Sequence, residues 1–166
     1  MTISAGLRVL GLDPGSRHTG WGVIERRGAA LRAIAWGRLS PRAELPLAER
    51  LRDIVIGLES LLAEHHPQRV AIERVFHGAN TRSLIVLAEA RGALLATIAR
   101  GNLELVELSP AAVKSAAAGS GRADKAQVAR MVALQLGVAV DHLPSDTTDA
   151  LAIAIAGSLT LPDVLR

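Results

Sequence analysis

The chain predicts an α/β fold, a mixed five-stranded sheet flanked by helices on both faces. Three observations carry that expectation. Short apolar runs broken by turn residues fill the amino-terminal quarter, apolar positions then recur at helical spacing, and strand-like and helix-like segments alternate from there on. Leu7 to Asp13 is an apolar run closed by Pro14-Gly15, a strand entering a turn. Gly20 to Glu25 and Ala30 to Leu39 read as two further strands, and Arg27-Gly28 between them suits an antiparallel meander. Pro46 to His65 places Leu47, Leu51, Ile54, Val55, Leu58, Leu61 and Leu62 at helical spacing, with Pro67 beyond its end.

Arg69 to Glu73 is a compact apolar strand ending in an acid. Thr81 to Arg100 reads as a long helix stopped by Gly101. Leu103 to Leu108 is the fifth strand. Ser109-Pro110 opens a short helix, by a serine N-cap with proline at the first helical position. Gly119-Ser120-Gly121 separates it from a helix over Lys125 to Leu136, and a last helix runs from about Ser145 to Leu159. The order β-β-β-α-β-α-β-α-α-α is that of ribonuclease-H-like domains. No repeat or linker-like tract interrupts it, so residues 1–166 read as a single domain.

Composition narrows the function classes. Hydrophobic residues make up 49% and charged residues 21%, enough for a packed core. Trp21, Trp36 and Phe76 are the only aromatics, so that core is aliphatic. The absence of cysteine excludes disulfides, thiolate metal sites and a cysteine nucleophile. The longest uncharged stretch, Ala150 to Pro162, is 13 residues, short of the roughly 20 that a membrane-spanning helix needs. The first ten residues lack the apolar block of a secretory signal, so a cytoplasmic location is expected. Net charge is +3, and Lys114 and Lys125 are the only lysines among 19 basic residues. That balance permits a phosphate-rich partner without requiring one.

The acids are more informative. Asp13 ends the first strand, Glu73 ends the fourth, and Asp146 and Asp149 stand three apart at the start of the final helix. In a sheet whose first and fourth strands are neighbours, Asp13 and Glu73 lie side by side, and a terminal helix across that sheet brings in the aspartate pair. Four crowded carboxylates repel unless cations sit between them. Oxygen-only ligands suit Mg²⁺ or Mn²⁺, and two such ions about 4 Å apart serve in-line phosphodiester cleavage. Each acid also has a plainer reading: a turn at Asp13-Pro14-Gly15, a solvated strand end at Glu73, an N-cap pair at Asp146 and Asp149. The segment Asp13 to Gly20 also suits the phosphate-cradling turn of the actin and sugar-kinase ATPases, but those need two related domains.

The residues carry a resemblance as well. Gly11-Leu12-Asp13-Pro14-Gly15-Ser16 with Thr19-Gly20-Trp21-Gly22, then Ala71-Ile72-Glu73-Arg74-Val75-Phe76, resemble the first two motifs of the RuvC family of Holliday-junction resolvases. Ala90-Arg91-Gly92, Pro110 through Val113-Lys114, Gly119-Ser120-Gly121 and Ala123 through Val128 follow in the family's order, and Asp146 to Ala154 resembles its closing acidic motif. The resemblance spans roughly residues 7–159. It implies a homodimer that nicks opposed strands of a four-way DNA junction symmetrically, alongside the branch-migration proteins RuvA and RuvB. It further implies that Asp13, Glu73, Asp146 and Asp149 are the catalytic acids, holding two Mg²⁺ or Mn²⁺ ions. Lys114 and Lys125 take the basic positions near the scissile phosphate, and Phe76 takes that of the aromatic that stacks on a base.

Without the resemblance, Lys114 and Lys125 read as ordinary surface charges. Phe76 would most often be a core residue, but it precedes the polar loop His77-Gly78-Ala79-Asn80, which suits a loop-tip aromatic that stacks on nucleic acid. Arg74, Arg82 and Arg122 flank these elements as phosphate contacts. The five histidines form no ligand spacing. The long helix also carries Leu84, Ile85, Val86 and Leu87 in succession, so apolar side chains point all round its axis, and a partner subunit would cover the side that the sheet does not. Two other readings stand beside the junction nuclease: a catalytically inert junction-binding protein, and another ribonuclease-H-like nuclease acting on RNA.

Overall fold

The computed structural model describes residues 6–15, 17–74 and 81–161. Its elements are β1 (Leu7–Pro14), β2 (Thr19–Arg27), β3 (Ala30–Leu39), α1 (Leu47–His65), β4 (Arg69–Glu73), α2 (Thr81–Arg100), β5 (Glu104–Leu108), α3 (Pro110–Ala118), α4 (Lys125–Leu136) and α5 (Ser145–Leu159). The strands form one mixed sheet in the order β3-β2-β1-β4-β5. The first three make the antiparallel meander, while β4 and β5 join in parallel, β4 beside β1. Every expected element is present, with boundaries shifted by one or two residues at β1, β2, α1 and β5.

Strand alternation divides the core in two. Leu10, Leu12, Val23, Val70 and Ile72 point to one face and are covered by Ile54 and Leu58 of α1 and by Ala90, Leu94 and Ile98 of α2. Val9, Ile24, Ala71, Val106 and Leu108 point to the other, under α3, α4 and α5. The local signals in the sequence do their physical work at the helix ends. The Ser109 hydroxyl accepts the Ala112 N–H at 3.1 Å, with Pro110 in the first turn of α3. Asp124 and Gln127 form a reciprocal capping box on α4.

The last helix is the keystone. Every residue from Thr147 to Ser158 is buried except Asp149. A helix lies this close to a sheet only where the sheet lacks side chains. A Cβ on Gly11 would stand 2.2 Å from the Ala150 carbonyl oxygen, and one on Gly20 would stand 2.0 Å from that of Asp146. At the other end, buried Arg69 donates to the carbonyls of Gly157 (2.6 Å) and Thr160 (2.7 Å) and pairs with Glu104 at 2.9 Å. This pins the carboxyl end of α5 to β4, so the amino end of α5 lies over the carboxyl ends of β1 and β4.

Candidate active site

Asp13 belongs to the same sheet face as Val9 and Gly11, and Glu73 to the same face as Ala71, so both acids face α5. The parallel register ends at Leu12 with Ile72, one step short of the two acids, which leaves them adjacent at the strand ends. They line a cavity of about 320 Å³ together with Asp149, Lys114 of α3, Lys125 of α4, and Pro110, Val113, Val128 and Ala152. The lining thus combines three carboxylates with both lysines of the chain. The turn reading of Asp13 does not apply, since Asp13 pairs within β1 with Gly20. Nor are the α5 aspartates N-caps: Pro144 takes that position and no side chain caps the helix.

Burial and mutual repulsion set the charges. Loss of water, then Asp149, Glu73 and Asp146 in turn, push the Asp13 carboxyl up to about 7, against which Lys125 acts alone. Burial first and Asp149 second raise Glu73, with Lys114 and Lys125 opposing. Lys125 Nζ donates to Asp149 Oδ2 at 3.1 Å, and that hydrogen bond holds the ammonium above the usual lysine range.

The donor set fits a hard divalent cation by its chemistry: carboxylate oxygens only, with a half-buried Asp13 whose ionisation needs positive charge. Among the described residues no three acids or histidines close on a single point. Asp149 is drawn to Lys125, and Asp146 lies outside the cavity lining with its Oδ2 3.7 Å from Arg38 Nη1. The two aspartates, three apart on α5, are divided between cavity and rim.

The family model described as "Crossover junction endodeoxyribonuclease RuvC" matches residues 9–157. The chain belongs to the RuvC family. A RuvC relative from Chloroflexus aggregans is 41% identical over 160 residues, covering 96% of this chain and 98% of the relative. One from an Anaeromyxobacter species is 48% identical over 147 residues, covering 89% and 78%. Among solved structures, Thermus thermophilus RuvC in complex with a Holliday junction substrate superposes with a TM-score of 0.85 at 32% identity, covering 90% of this chain and 92% of that one. A yeast mitochondrial Holliday junction resolvase shares the fold, with a TM-score of 0.70 at 18% identity. The ribonuclease-H-like expectation is therefore met.

Set against this RuvC fold, the site residues read from sequence divide into groups. Asp13, Glu73, Asp149, Lys114 and Lys125 come together in the cavity, and Asp146 reaches its edge. Arg122 lines a different cleft, with Ser120, Gln127, Arg130 and Met131. Arg74 is exposed just past β4, where its N–H donates to the Leu108 carbonyl at 2.8 Å. Arg82 lies on the exposed first turn of α2. Phe76 lies outside the described residues.

Sequence reasoning assigned no role to Arg91. Its Nε donates to the Glu73 carbonyl at 3.2 Å, and its guanidinium pairs with Glu107, tying α2 to the ends of β4 and β5 beneath the site. The Ala90-Arg91-Gly92 match signalled the position but carried no hint of the contact. No helix among the described residues is long and apolar enough to cross a membrane.

Proposed function

We propose that this chain is a divalent-metal-dependent endonuclease that resolves four-way DNA junctions in the cytoplasm by paired, symmetric nicks. Its RuvC membership and the Asp13–Glu73–Asp149 cavity, which both lysines also line, support that reading together. In it Asp13, Glu73, Asp146 and Asp149 hold two Mg²⁺ or Mn²⁺ ions. Such ions, when bound, make a water nucleophilic and neutralise the leaving 3′ oxygen. The protein's own groups orient the strand. Lys114, which lines the cavity with Glu73 and opposes its rise in pKa, meets the phosphate that enters, and Lys125 holds Asp149 in place while adding positive charge. Phe76 is assigned to stack on a base beside the scissile phosphate, and Arg74, Arg82 and Arg122 to more distant phosphates. The whole of 1–166 acts as one nuclease domain.

The test is cleavage of a synthetic four-way DNA junction, a matched duplex and the corresponding RNA, each with Mg²⁺, Mn²⁺ or chelator. Metal-dependent nicks at opposed positions of the DNA junction support the reading. Preference for RNA would favour the alternative nuclease, and binding without cleavage in any metal would favour the inert protein. Lys125→Gln is expected to lower cleavage by about 10²- to 10³-fold, the scale for removing one preorganised charge-stabilising group. It should also reduce the slope of log affinity against log salt by about one. Unchanged turnover would remove Lys125 from the site.

The dimer is part of the same reading. The carboxyl half of α2 is buried through Ala90, Leu94 and Ile98, whereas Leu84, Val86 and Leu87 are half-buried and Ile85 is 54% exposed. We assign this half-covered stretch to a second copy of the chain, and we assign RuvA and RuvB as its partners on the junction. Ile85→Glu is expected to give a monomer at micromolar concentration, read by light scattering, with the protomer still folded. A variant that remained dimeric would place the interface elsewhere.

A further inference from the structure

Asp13, Gly20 and Arg38 form one cross-strand row: Asp13 on β1 pairs with Gly20 on β2, which pairs with Arg38 on β3. Directly paired residues share a face, so the row reads carboxylate, gap, guanidinium, over about two strand spacings or ~10 Å. The backbone of Asp146 fills the gap, because its carbonyl lies where a Gly20 side chain would stand. The Asp146 carboxylate is therefore repelled from one side by Asp13 and attracted from the other by Arg38. Both its oxygens are engaged away from the cavity, Oδ2 by Arg38 at 3.7 Å and Oδ1 by its neighbour's N–H, that of Thr147, at 3.0 Å. Thr147 Oγ1 donates to the Gly37 carbonyl at 3.2 Å, which fixes this turn of α5 against the residue preceding Arg38. The two α5 aspartates thus have separate basic partners, Lys125 for Asp149 and Arg38 for Asp146.

We propose that Arg38 is a positioning residue that holds the Asp146 carboxylate at the rim, across the Gly20 gap from Asp13, and so weakens the acid cluster's hold on a divalent cation until the pair parts. The inference rests on the metal-dependent reading above. Arg38 sits on an edge strand with its side chain 37% exposed, so the pair separates at small cost and works as a restraint rather than a lock. Without the guanidinium, Asp146 is free to turn inward and add its carboxylate to the cluster.

The test is calorimetric titration of Mn²⁺ into the wild-type protein and into Arg38→Gln, Arg38→Lys, Asp146→Asn and the Arg38→Gln/Asp146→Asn double variant. Thermal melting of each with and without Mn²⁺ gives a readout independent of cleavage. Arg38→Gln is expected to bind Mn²⁺ about two- to fivefold more tightly, the range a partly exposed ion pair supports, with a larger rise in melting temperature on adding Mn²⁺. Arg38→Lys, which keeps the charge and loses the planar fork, should lie between. In the Asp146→Asn background the arginine change should have no further effect on binding. If the wild type takes up no Mn²⁺, the metal reading itself fails. If it binds Mn²⁺ and Arg38→Gln binds it equally or more weakly, or if the effect persists with Asn at 146, the proposal for Arg38 is overturned.

Discussion

Asp13→Asn is expected to lower junction cleavage by at least about a thousandfold while junction binding persists or tightens. In the proposed reading, asparagine keeps the shape but removes one anionic metal ligand, and it also removes repulsion toward DNA phosphate. The same change should stabilise the metal-free protein, with a pH dependence of definite sign. The Asp13 carboxyl is raised from 3.8 to about 7, so the folded chain holds this proton more tightly than the unfolded chain does. Stability is therefore lost as pH rises from about 4 to about 7 and is level above that. At ~1.4 kcal/mol per pH unit, ionised Asp13 costs at most about 4 kcal/mol. Denaturant unfolding in chelator should show Asp13→Asn more stable than wild type at pH 8, with the difference shrinking toward pH 4.5. Equal stability at both pH values would mean that burial and repulsion do not raise Asp13 in this way.

Gly20→Ala should damage both fold and activity. The added Cβ would stand 2.0 Å from the Asp146 carbonyl oxygen, 2.3 Å from its carbon and 3.0 Å from the Thr147 nitrogen. All three are backbone atoms, so no side chain can rotate aside and the first turn of α5 must lift. Overpacking of this kind costs about 1–3 kcal/mol, occasionally more, or a melting drop of roughly 3–10 °C at this size. The turn that lifts carries Asp146 and Asp149, so, with these as the proposed catalytic acids, cleavage by the folded variant should fall about a hundredfold further, as for a 1 Å misplacement of a catalytic group. Gly92→Ala is the control, because nothing lies within 4 Å of its added Cβ on α2, and helix propensity favours alanine by up to ~1 kcal/mol. A Gly20→Ala protein with wild-type melting and turnover would show that α5 need not lie so close to β2.

Much of this was legible in the chain because the signals are local. Ser109-Pro110 and Asp124 with Gln127 mark helix starts through hydrogen bonds made within four residues, and the strand periods of β1 and β4 follow from burial on both faces. The ordered motifs also carried the acids and both lysines to one reading. The fate of the arginines was not legible. Arg91 beneath Glu73, Arg69 on the end of α5 and Arg38 against Asp146 all make contacts 18 or more residues away in sequence. A side chain that long reaches several neighbours, and only packing chooses among them.

By itself the sequence determined the order of elements, the two-faced aliphatic core and the placing of four acids at the ends of β1 and β4 and the start of α5. Those follow from periodicity, capping and strand length, which are properties of neighbouring residues. The tertiary structure alone decided that Asp149 enters the cavity while Asp146 stays at its rim. Three residues on a helix leave two side chains about 60° apart. Which side of that angle faces Asp13 and which faces Arg38 depends on how α5 is turned over the sheet, and that is set by the gaps at Gly11 and Gly20 and the Arg69 anchor at its far end.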